Sequence, residues 1–262
     1  YVYDRLNQIG RPVDVSFEPD SDLAKDYDII FTRFNIPVKE EFLKELSEYD
    51  KIFVNDPISK IKYHTKDYLT LFPEVTPETI ISSDPVELLR FAETRDYTIL
   101  KPLAENGGKG IVKMGRDEHT PGELEENLEL YVEQYGKTVA QSYIEGVKEQ
   151  GDKRVNVVGY EPVSAVRRIP PEGSFISNVG YGGTSNRESA PVDDRDAEIV
   201  GVIRPFLENN GIFWAGIDVI AGYLGEINVS SPGLLKRADL LNGTSAGVDT
   251  LVAKLEQAYK SA

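Results

Sequence analysis

The sequence predicts a mixed fold, a parallel α/β unit followed by two α+β lobes, and three observations support this. Residues 27–54 carry a strand–helix–strand pattern, which favours parallel pairing through a right-handed crossover. Residues 76–141 alternate short strands with amphipathic helices. Residues 153–262 combine four strands with two longer helices, as expected for a helix-covered sheet.

The first unit consists of two strands and the helix between them. Residues 27–31 and 51–54 are short apolar runs, which predict buried strands. Residues 39–49 predict an amphipathic helix, whose inward face carries Phe42, Leu43 and Leu46. The parallel unit therefore ends at residue 54.

The next stretch predicts a small α+β lobe. Asn55-Asp56-Pro57 ends the second strand, and residues 59–71 predict a helix that carries Lys66. From residue 76 onward strands and helices alternate around a glycine-rich turn. The predicted strands are Thr79–Ile81, Thr98–Lys101, Ile111–Met114 and Thr138–Gln141, and the predicted helices are residues 85–94, capped by Asp84, and 122–135, with Leu124, Leu128 and Tyr131 at helical spacing.

The last part predicts a sheet covered by two helices. The strands are residues 153–158, 163–169, 216–220 and 225–232, and the helices are residues 194–209 and 244–260. Residues 170–191 form the longest stretch without a periodic pattern, and they contain four glycines. Loops longer than about 12 to 15 residues are usually functional or disordered, so we expect a lid here.

Composition excludes several classes of function. The 262 residues carry 44 acidic and 29 basic side chains, a net charge of −15, which disfavours nucleic-acid and anionic-membrane partners. The absence of cysteine excludes disulfides, thiolate nucleophiles and zinc–thiolate sites, and the two histidines, His64 and His119, lie in polar stretches typical of solvated loops. No apolar run reaches 18 residues and no signal-peptide pattern is present, so we expect a cytoplasmic protein.

A predicted hairpin near the end of the chain carries three oxygen ligands. Its two strands alternate Ile and Val with oxygen-bearing residues. A three-residue turn around Gly222 would put Asp218 and Glu226 on one face, and the strand period of two adds Asn228. Magnesium prefers one or two carboxylates plus phosphate oxygens and water, which indicates a metal that carries a nucleotide triphosphate. On these residues alone, the solvated face of an ordinary hairpin is an equally good interpretation.

Candidate phosphate ligands lie around a glycine loop. The loop at residues 105–110 joins two predicted strands, and its backbone N–H groups could wrap phosphate oxygens as a flap, although glycine pairs also make ordinary turns. It fits neither a Walker loop nor a dinucleotide fingerprint, because both open a helix. Lys101 ends an apolar strand, where a solvated lysine is out of place, whereas Lys66 alone could be an exposed helix lysine.

A second cationic group lies on neighbouring predicted strands. It consists of Lys153, Arg154, Arg167 and Arg168. In an acidic protein, such a group beside a carboxylate hairpin indicates an anion-binding site. Ion pairing with surface carboxylates is the alternative, and it contributes little stability.

Taken in order, these motifs resemble ATP-grasp ligases, and in particular the prokaryotic glutathione synthetase family. The resemblance extends from about Tyr27 to the C-terminus. Each motif is weak alone, but their order and spacing are specific. They are Asn55-Asp56-Pro57 leading to Lys66, Thr76-Pro77-Glu78-Thr79, Ile99–Leu103, the Gly107-Gly108 flap, Ala140–Ile144, Gly151–Val155, Arg168-Ile169-Pro170, Gly216-Ile217-Asp218 and Glu226–Pro232.

The resemblance implies a role for each candidate residue. ATP would contact Lys66, Lys101, Gly107 and Gly108, with the backbone of Gln141, Ser142, Tyr143 and Ile144 at the adenine and Asp152 near the ribose. Asp218, Glu226 and Asn228 would hold two magnesium ions, for which manganese could substitute. Arg154 and Arg168 would be the catalytic residues at the acyl phosphate, and Ser230 and Ser231 would bind the carboxylate of the incoming amino acid.

The implied reaction joins γ-glutamylcysteine to glycine with conversion of ATP to ADP and phosphate. The γ-phosphoryl group first activates the carboxylate, and the glycine amine then attacks the acyl phosphate. No side-chain nucleophile is needed, which agrees with the absence of cysteine. A closing lid would keep water from the acyl phosphate. The resemblance further implies a homo-oligomer.

Three departures from the family pattern concern the substrates. The 26 residues before Tyr27 are too few for the family's substrate domain, and the sequence does not begin with methionine, so we expect that the start is absent or the domain reduced. Residues 173–186 lack the arginine that is usual in family lids. The Ser231–Leu234 ending is similar to that of RimK-type ligases.

We therefore expect three regions: a partial N-terminal substrate domain (residues 1–60), a small ATP-grasp lobe with the flap (61–141), and a C-terminal lobe with the metal site and the lid (142–262). Two alternatives stay open for the activity. One is a RimK-like ligase with another acceptor, and the other is a non-catalytic ATP-binding module such as synapsin.

Overall fold

Two antiparallel sheets form most of the structure, preceded by a short parallel pair of strands. The computed structural model describes residues 22–33, 39–105, 107–170 and 186–261, together with the single residues 6, 8, 10, 13 and 172. Most of the predicted lid, residues 173–185, lies outside the described residues.

The predicted strand–helix–strand unit is confirmed. Strands β1 (Ile29–Phe31) and β2 (Ile52–Val54) pair in parallel on either side of helix α1 (Glu40–Leu46). On α1, Leu43 and Leu46 are buried. Helix α2 (Pro57–Lys62) follows, and the Asp56 carboxylate caps it by accepting from Ser59 N at 2.7 Å.

The prediction of one helix over residues 59–71 is wrong. Helix α2 ends at Lys62, and a separate 3₁₀ turn covers Asp67–Leu71. The intervening Tyr63, His64 and Thr65 are poor helix formers. Tyr63 instead packs edge-on against Phe206 and donates to Asn210 Oδ1 at 2.9 Å. Lys66 therefore precedes the 3₁₀ turn rather than lying within a helix.

The small lobe is a four-stranded antiparallel sheet in the order β3-β6-β4-β5, backed by two helices. Its predicted elements are confirmed, within one or two residues at their ends. Its core contains Leu88 and Leu128 from the helices and Leu100 from the sheet. The elements are β3 (Thr79–Ser82), α3 (Pro85–Glu93), β4 (Tyr97–Pro102), β5 (Val112–Gly115), α4 (Pro121–Tyr135) and β6 (Thr138–Ser142).

The large lobe is a five-stranded antiparallel sheet in the order β11-β10-β7-β8-β9. Helix α6 packs on one face, and helices α7 and α8 cover one end of the other. Its elements are α5 (Val147–Gln150), β7 (Asp152–Val158), β8 (Glu161–Ile169), β9 (Asn186–Ala190), α6 (Asp194–Asn209), β10 (Trp214–Ile220), β11 (Tyr223–Asn228), α7 (Leu235–Leu241) and α8 (Ala246–Ser261).

Strand β9 corrects the prediction of an unbroken loop over residues 170–191. It forms the edge of the large sheet, pairing with β8 from Ala165↔Ala190 to Ile169↔Asn186. Four of its five residues are exposed, so it lacks the apolar alternation that identifies a strand in sequence.

The metal hairpin has a different turn from the one predicted, but the same residues face each other. Ile220 pairs with Tyr223, so only Ala221 and Gly222 form the turn, both at positive φ (44° and 82°), as in a type I′ turn. A bulge at Gly225 then shifts the register by one residue, and Asp218 pairs with Glu226. The predicted three-residue turn is therefore wrong, whereas the predicted pairing is confirmed.

This turn generates a stability prediction. Asparagine tolerates the left-handed region better than alanine, so Ala221→Asn should raise the free energy of unfolding by about 0.5–1 kcal/mol. Ala221→Val, with a β-branched side chain at the same φ, should lower it by about 1 kcal/mol or more. Urea unfolding of the two variants measures both effects. Equal stabilities would contradict the positive φ at Ala221.

Candidate functional site

A cleft of about 900 Å³ lies between the small and large lobes. Its walls combine strand ends of both sheets with the glycine loop between β4 and β5. The predicted site residues among its lining are Lys66, Lys101, Gly107, Gly108, Gln141, Ser142, Tyr143, Ile144, Asp152, Asp218 and Glu226.

The strand register gathers the charged residues of the large lobe on one face of its sheet. Asp152 on β7 pairs directly with Arg168 on β8. Two residues further along β7, Arg154 pairs with Asp218 on β10, which in turn pairs with Glu226 on β11. Because directly paired residues point to the same side, these five side chains form one polar row. The alternate residues of the same strands point into the core under α6.

Four of the five residues form a continuous chain of ion pairs. Arg154 binds Asp218 with two nitrogens, Nε to Oδ1 and Nη2 to Oδ2 at 3.2 Å. Arg168 donates from Nε to Asp152, and its Nη2 lies 2.9 Å from Asp218 Oδ1. Each of the four is at most 6% exposed. Buried charges must be paired, and here two carboxylates balance two guanidinium groups.

Two glycines make room for these ion pairs. Gly151 has φ +67°, and a Cβ there would lie 2.1 Å from the carbonyl oxygen of Arg168. At Gly216 a Cβ would lie 3.1 Å from Arg154 Cδ and Nη1. A side chain at residue 151 would clash with the backbone of β8, and one at residue 216 would force the Arg154 side chain to shift.

Burial and ion pairing act in opposite directions on the two aspartates. Burial alone would raise the pKa of Asp218, but the charges of Arg154 and Arg168 outweigh it and hold the pKa below its usual value. At Asp152 burial prevails over Arg168, and the pKa is raised. Asp218 is therefore the more firmly ionised carboxylate.

Two lysines also line the cleft, and both donate to neutral acceptors. Lys101 Nζ donates to Gln141 Oε1 at 2.6 Å, and Gln141 Nε2 donates to Thr79 Oγ1 at 2.9 Å. Lys66 Nζ donates to the carbonyl oxygen of Glu105 and lies 3.9 Å from Glu226 Oε1. Burial lowers the pKa of Lys101 to about 8.

The flap and the hinge border the same cleft. Gly107 and Gly108 have positive φ (67° and 80°), which exposes successive backbone groups to the cleft. In the hinge, Ser142 N donates to Glu78 O and Tyr143 N to Tyr97 O. These two hinge N–H groups are therefore engaged in backbone hydrogen bonds.

The remaining predicted residues lie at the end of β11 and directly after it. Asn228 donates from Nδ2 to Gly216 O at 3.1 Å. Ser230 Oγ is buried and has no hydrogen-bond partner within the described ranges. Ser231 Oγ accepts from Arg33 Nη2 at 3.5 Å.

Lys60 is a residue of this region that the sequence did not indicate. It is 2% exposed and donates from Nζ to the carbonyl oxygen of Ser230 at 2.9 Å. Burial, followed by the charge of Arg33, lowers its pKa to about 7. A lysine on a short helix looks like a surface residue in sequence, so no pattern marks it as buried.

The donor set fits magnesium. Asp218 and Glu226 face each other, Asn228 adds a possible amide oxygen, and all three are hard ligands. In the part of the chain that the structure describes, no three His, Cys, Asp or Glu side chains form a metal cluster. Two carboxylates suit a magnesium ion that takes its other ligands from phosphate and water.

Similarity to known proteins identifies the family of this chain. The family model for the ATP-grasp domain of prokaryotic glutathione synthetase matches residues 65–243. Glutathione synthetase from Synechococcus elongatus is 34% identical over 255 residues, which cover 94% of this chain and 76% of that protein. The chain belongs to the prokaryotic glutathione synthetase family. The predicted ATP-grasp fold and an ATP-dependent ligase that forms carbon–nitrogen bonds are thereby confirmed.

Two solved structures share the fold of this glutathione synthetase family member at low sequence identity. D-cycloserine synthetase has a TM-score of 0.72 and 13% identity, with 97% of this chain and 93% of that chain covered. The D-alanine–D-alanine ligase from Bacillus anthracis, complexed with ATP, has a TM-score of 0.59 and 14% identity, covering 92% and 84%. Among the helices described, none combines the length and apolarity needed to cross a membrane.

The link between Lys101 and Gln141 generates a second prediction. Gln141→Leu would leave the part-buried Lys101 ammonium without its acceptor, so the free energy of unfolding should fall by about 1–3 kcal/mol. Thr79→Val removes the hydrogen bond from Gln141 Nε2 and the one that Thr79 Oγ1 donates to Pro77 O, but it keeps the contact between Lys101 and Gln141, and it should cost about 1 kcal/mol. Urea unfolding distinguishes the two variants, and an equal loss in both would contradict the importance of the lysine contact.

Proposed function

We propose that this chain joins γ-glutamylcysteine to glycine at the expense of ATP, through an acyl phosphate. The observation that carries the proposal is the cleft itself, in which Asp218 and Glu226 face Lys66 and Lys101. Membership of the glutathione synthetase family supports the choice of substrates.

The lysines and the flap are assigned to the nucleotide phosphates. Lys66 and Lys101 donate to neutral oxygens, which leaves their charge available to an anion. Gly107 and Gly108 would cover the phosphates from above. The hinge, Gln141 to Ile144, would bind adenine, and because Ser142 and Tyr143 use their N–H groups within the sheets, we assign the donor role to Ile144 N–H.

The metal ligands are assigned to Asp218, Glu226 and Asn228. Two magnesium ions, or manganese in their place, would neutralise phosphate charge during transfer of the γ-phosphoryl group. Glu226 Oε1 lies 3.9 Å from Lys66 Nζ. The metal ligands and the lysine assigned to the phosphates would therefore be neighbours.

Arg154 and Arg168 are assigned to the acyl phosphate. Both are buried in the polar row, and positive charge at the reacting carbonyl would stabilise the oxyanion formed when the glycine amine attacks. Asp152, next to Arg168, also lines the cleft. This position supports its assignment to the ribose side of the nucleotide.

Ser230 and Ser231 are assigned to the carboxylate of the incoming amino acid. The buried Ser230 hydroxyl and the neighbouring Lys60 and Arg33 support this assignment, because together they offer hydrogen-bond donors and positive charge. The division at residues 60 and 141, a lid over 170–191, a homo-oligomer and a cytoplasmic location remain predictions.

A phosphate-release assay tests the function as a whole. Purified protein, magnesium and ATP are combined with a matrix of acids and amines, and release should require both γ-glutamylcysteine and glycine. Release with a different pair would favour a RimK-like ligase with another acceptor. Tight ATP binding without turnover on any pair would favour the non-catalytic module.

Glu226→Gln tests the metal assignment. The change keeps the side-chain volume but removes the negative charge, so turnover should fall at least about 100-fold while the circular dichroism spectrum is unchanged. Glu133→Gln, at an exposed position of α4, is the matched control and should keep full activity. Wild-type turnover in Glu226→Gln would remove this carboxylate from the mechanism.

Lys101→Met tests the nucleotide assignment. A charged hydrogen bond is typically worth about 1.5–3 kcal/mol, so the affinity for ATP, measured by calorimetry, should fall by about 10- to 100-fold. Lys137→Met, at an exposed position before β6, should bind ATP as the wild type does. Unchanged affinity in Lys101→Met would contradict its assignment to the phosphates.

A further inference from the structure

Asp218 serves two purposes that compete for the same oxygens. It is the carboxylate assigned to magnesium, and in this structure both of its oxygens contact guanidinium groups. Oδ1 accepts from Arg154 Nε and lies 2.9 Å from Arg168 Nη2, while Oδ2 accepts from Arg154 Nη2 at 3.2 Å. Among the described residues Oδ2 accepts only this one hydrogen bond, but a divalent cation on its remaining lone pair would lie beside the Arg154 guanidinium, and the repulsion between the two cations disfavours binding of both at once.

The two arginines are not equally dependent on Asp218. Arg154 directs both of its hydrogen bonds in the network, from Nε and Nη2, to Asp218. Arg168 instead donates from Nε to Asp152. Its Nη2 is close to Asp218, but this nitrogen makes no hydrogen bond of good geometry among the described residues. Arg168 therefore keeps a carboxylate partner if Asp218 is withdrawn, and Arg154 does not.

We propose that Arg154 and a magnesium ion are alternative partners of Asp218, so that Arg154 leaves Asp218 when magnesium arrives with the nucleotide, while Asp152 is the positioning residue that holds Arg168 in place during the exchange. The proposal rests on the proposed function, because it takes Asp218 as a metal ligand. It adds a second role to Arg154 and replaces a purely nucleotide-binding role for Asp152.

Charge balance explains why such an exchange is useful. A buried carboxylate without a partner is strongly destabilising, so Asp218 needs a cationic partner whenever no metal is bound to it. Arg154 supplies it, and its short path to Asp218 is kept open by Gly216. When the metal takes over Asp218, the Arg154 guanidinium becomes available to the phosphate oxygens. Metal binding and preparation of the arginine for catalysis are thus one event.

The test uses the side-chain Nε–Hε resonances of arginine in ¹⁵N-labelled wild-type protein. Arg154→Lys and Arg168→Lys assign the two buried resonances. On addition of Mg²⁺ with a non-hydrolysable ATP analogue, the Arg154 resonance should shift and its hydrogen exchange with water should accelerate at least about tenfold. The Arg168 resonance should keep its slow exchange, because Asp152 remains its acceptor. The analogue with EDTA should leave Arg154 unchanged.

Calorimetry on the same samples separates the two possible failures. If Mg²⁺ and the analogue bind but the Arg154 resonance does not change, the exchange is overturned and the proposed function stands. If nothing binds, both are overturned. If Arg154 and Arg168 respond equally, the exchange stands and the role of Asp152 is overturned.

Asp152→Asn tests the positioning role directly. In this variant the Arg168 resonance should exchange at least about tenfold faster even without metal, whereas Arg154 should keep its slow exchange on Asp218. The matched control is Arg167→Gln, which changes a charge on β8, next to Arg168, at a residue that contacts Gln150 O rather than the polar row. The backbone amide spectrum verifies that each variant is folded. A slowly exchanging Arg168 in Asp152→Asn would show that Asp152 is not its anchor.

Discussion

The pairing of β7 with β8 and β10 is the constraint on which the rest of the structure depends. It brings Asp152 opposite Arg168 and Arg154 opposite Asp218, and all four side chains are almost completely buried. Removing one partner of a buried ion pair typically costs about 3–5 kcal/mol, so a register slip that separated the pairs would be severely destabilising. The same register sends the intervening residues, such as Val155 and Ile217, into the core under α6. Core packing and the charged row therefore specify one alignment of the strands.

Much of the fold could be predicted because most elements have strong local periodicity. The helix at residues 194–209 has the predicted bounds, and its Asp193 and Asp196 form a reciprocal cap with the backbone. The failures share a physical cause. β9 is exposed along most of its length, and the break between α2 and the 3₁₀ turn depends on Tyr63 packing against Phe206, a contact between residues far apart in sequence. Neither feature leaves a local pattern.

For the candidate site, the sequence indicated many of the residues that line the cleft, but not the partners to which their side chains bind. Strand alternation sufficed to put Asp218 opposite Glu226. The turn itself has two residues and alone would leave these two side chains out of register, but the extra residue of the bulge at Gly225 brings them opposite each other. By contrast, the bonds from Arg154 to Asp218 and from Arg168 to Asp152 require knowledge of which strands are neighbours. Lys60 could not be predicted at all, because only the tertiary structure brings Ser230 onto its helix.

The lysines and the arginines around the cleft have different partners, and this difference has a chemical consequence. Lys101 and Lys66 donate to an amide and a carbonyl oxygen, so their charges are only partly compensated. Arg154 and Arg168 are bound to carboxylates, so their charges are balanced. In a protein of net charge −15, the lysines are thus the cations around the cleft whose charge is most available to an anion. A metal cation on Asp218 would instead free the charge of Arg154, which then needs an anion of its own. A nucleotide triphosphate that carries magnesium would supply the cation and the anion together, which neither the nucleotide nor the metal can do alone.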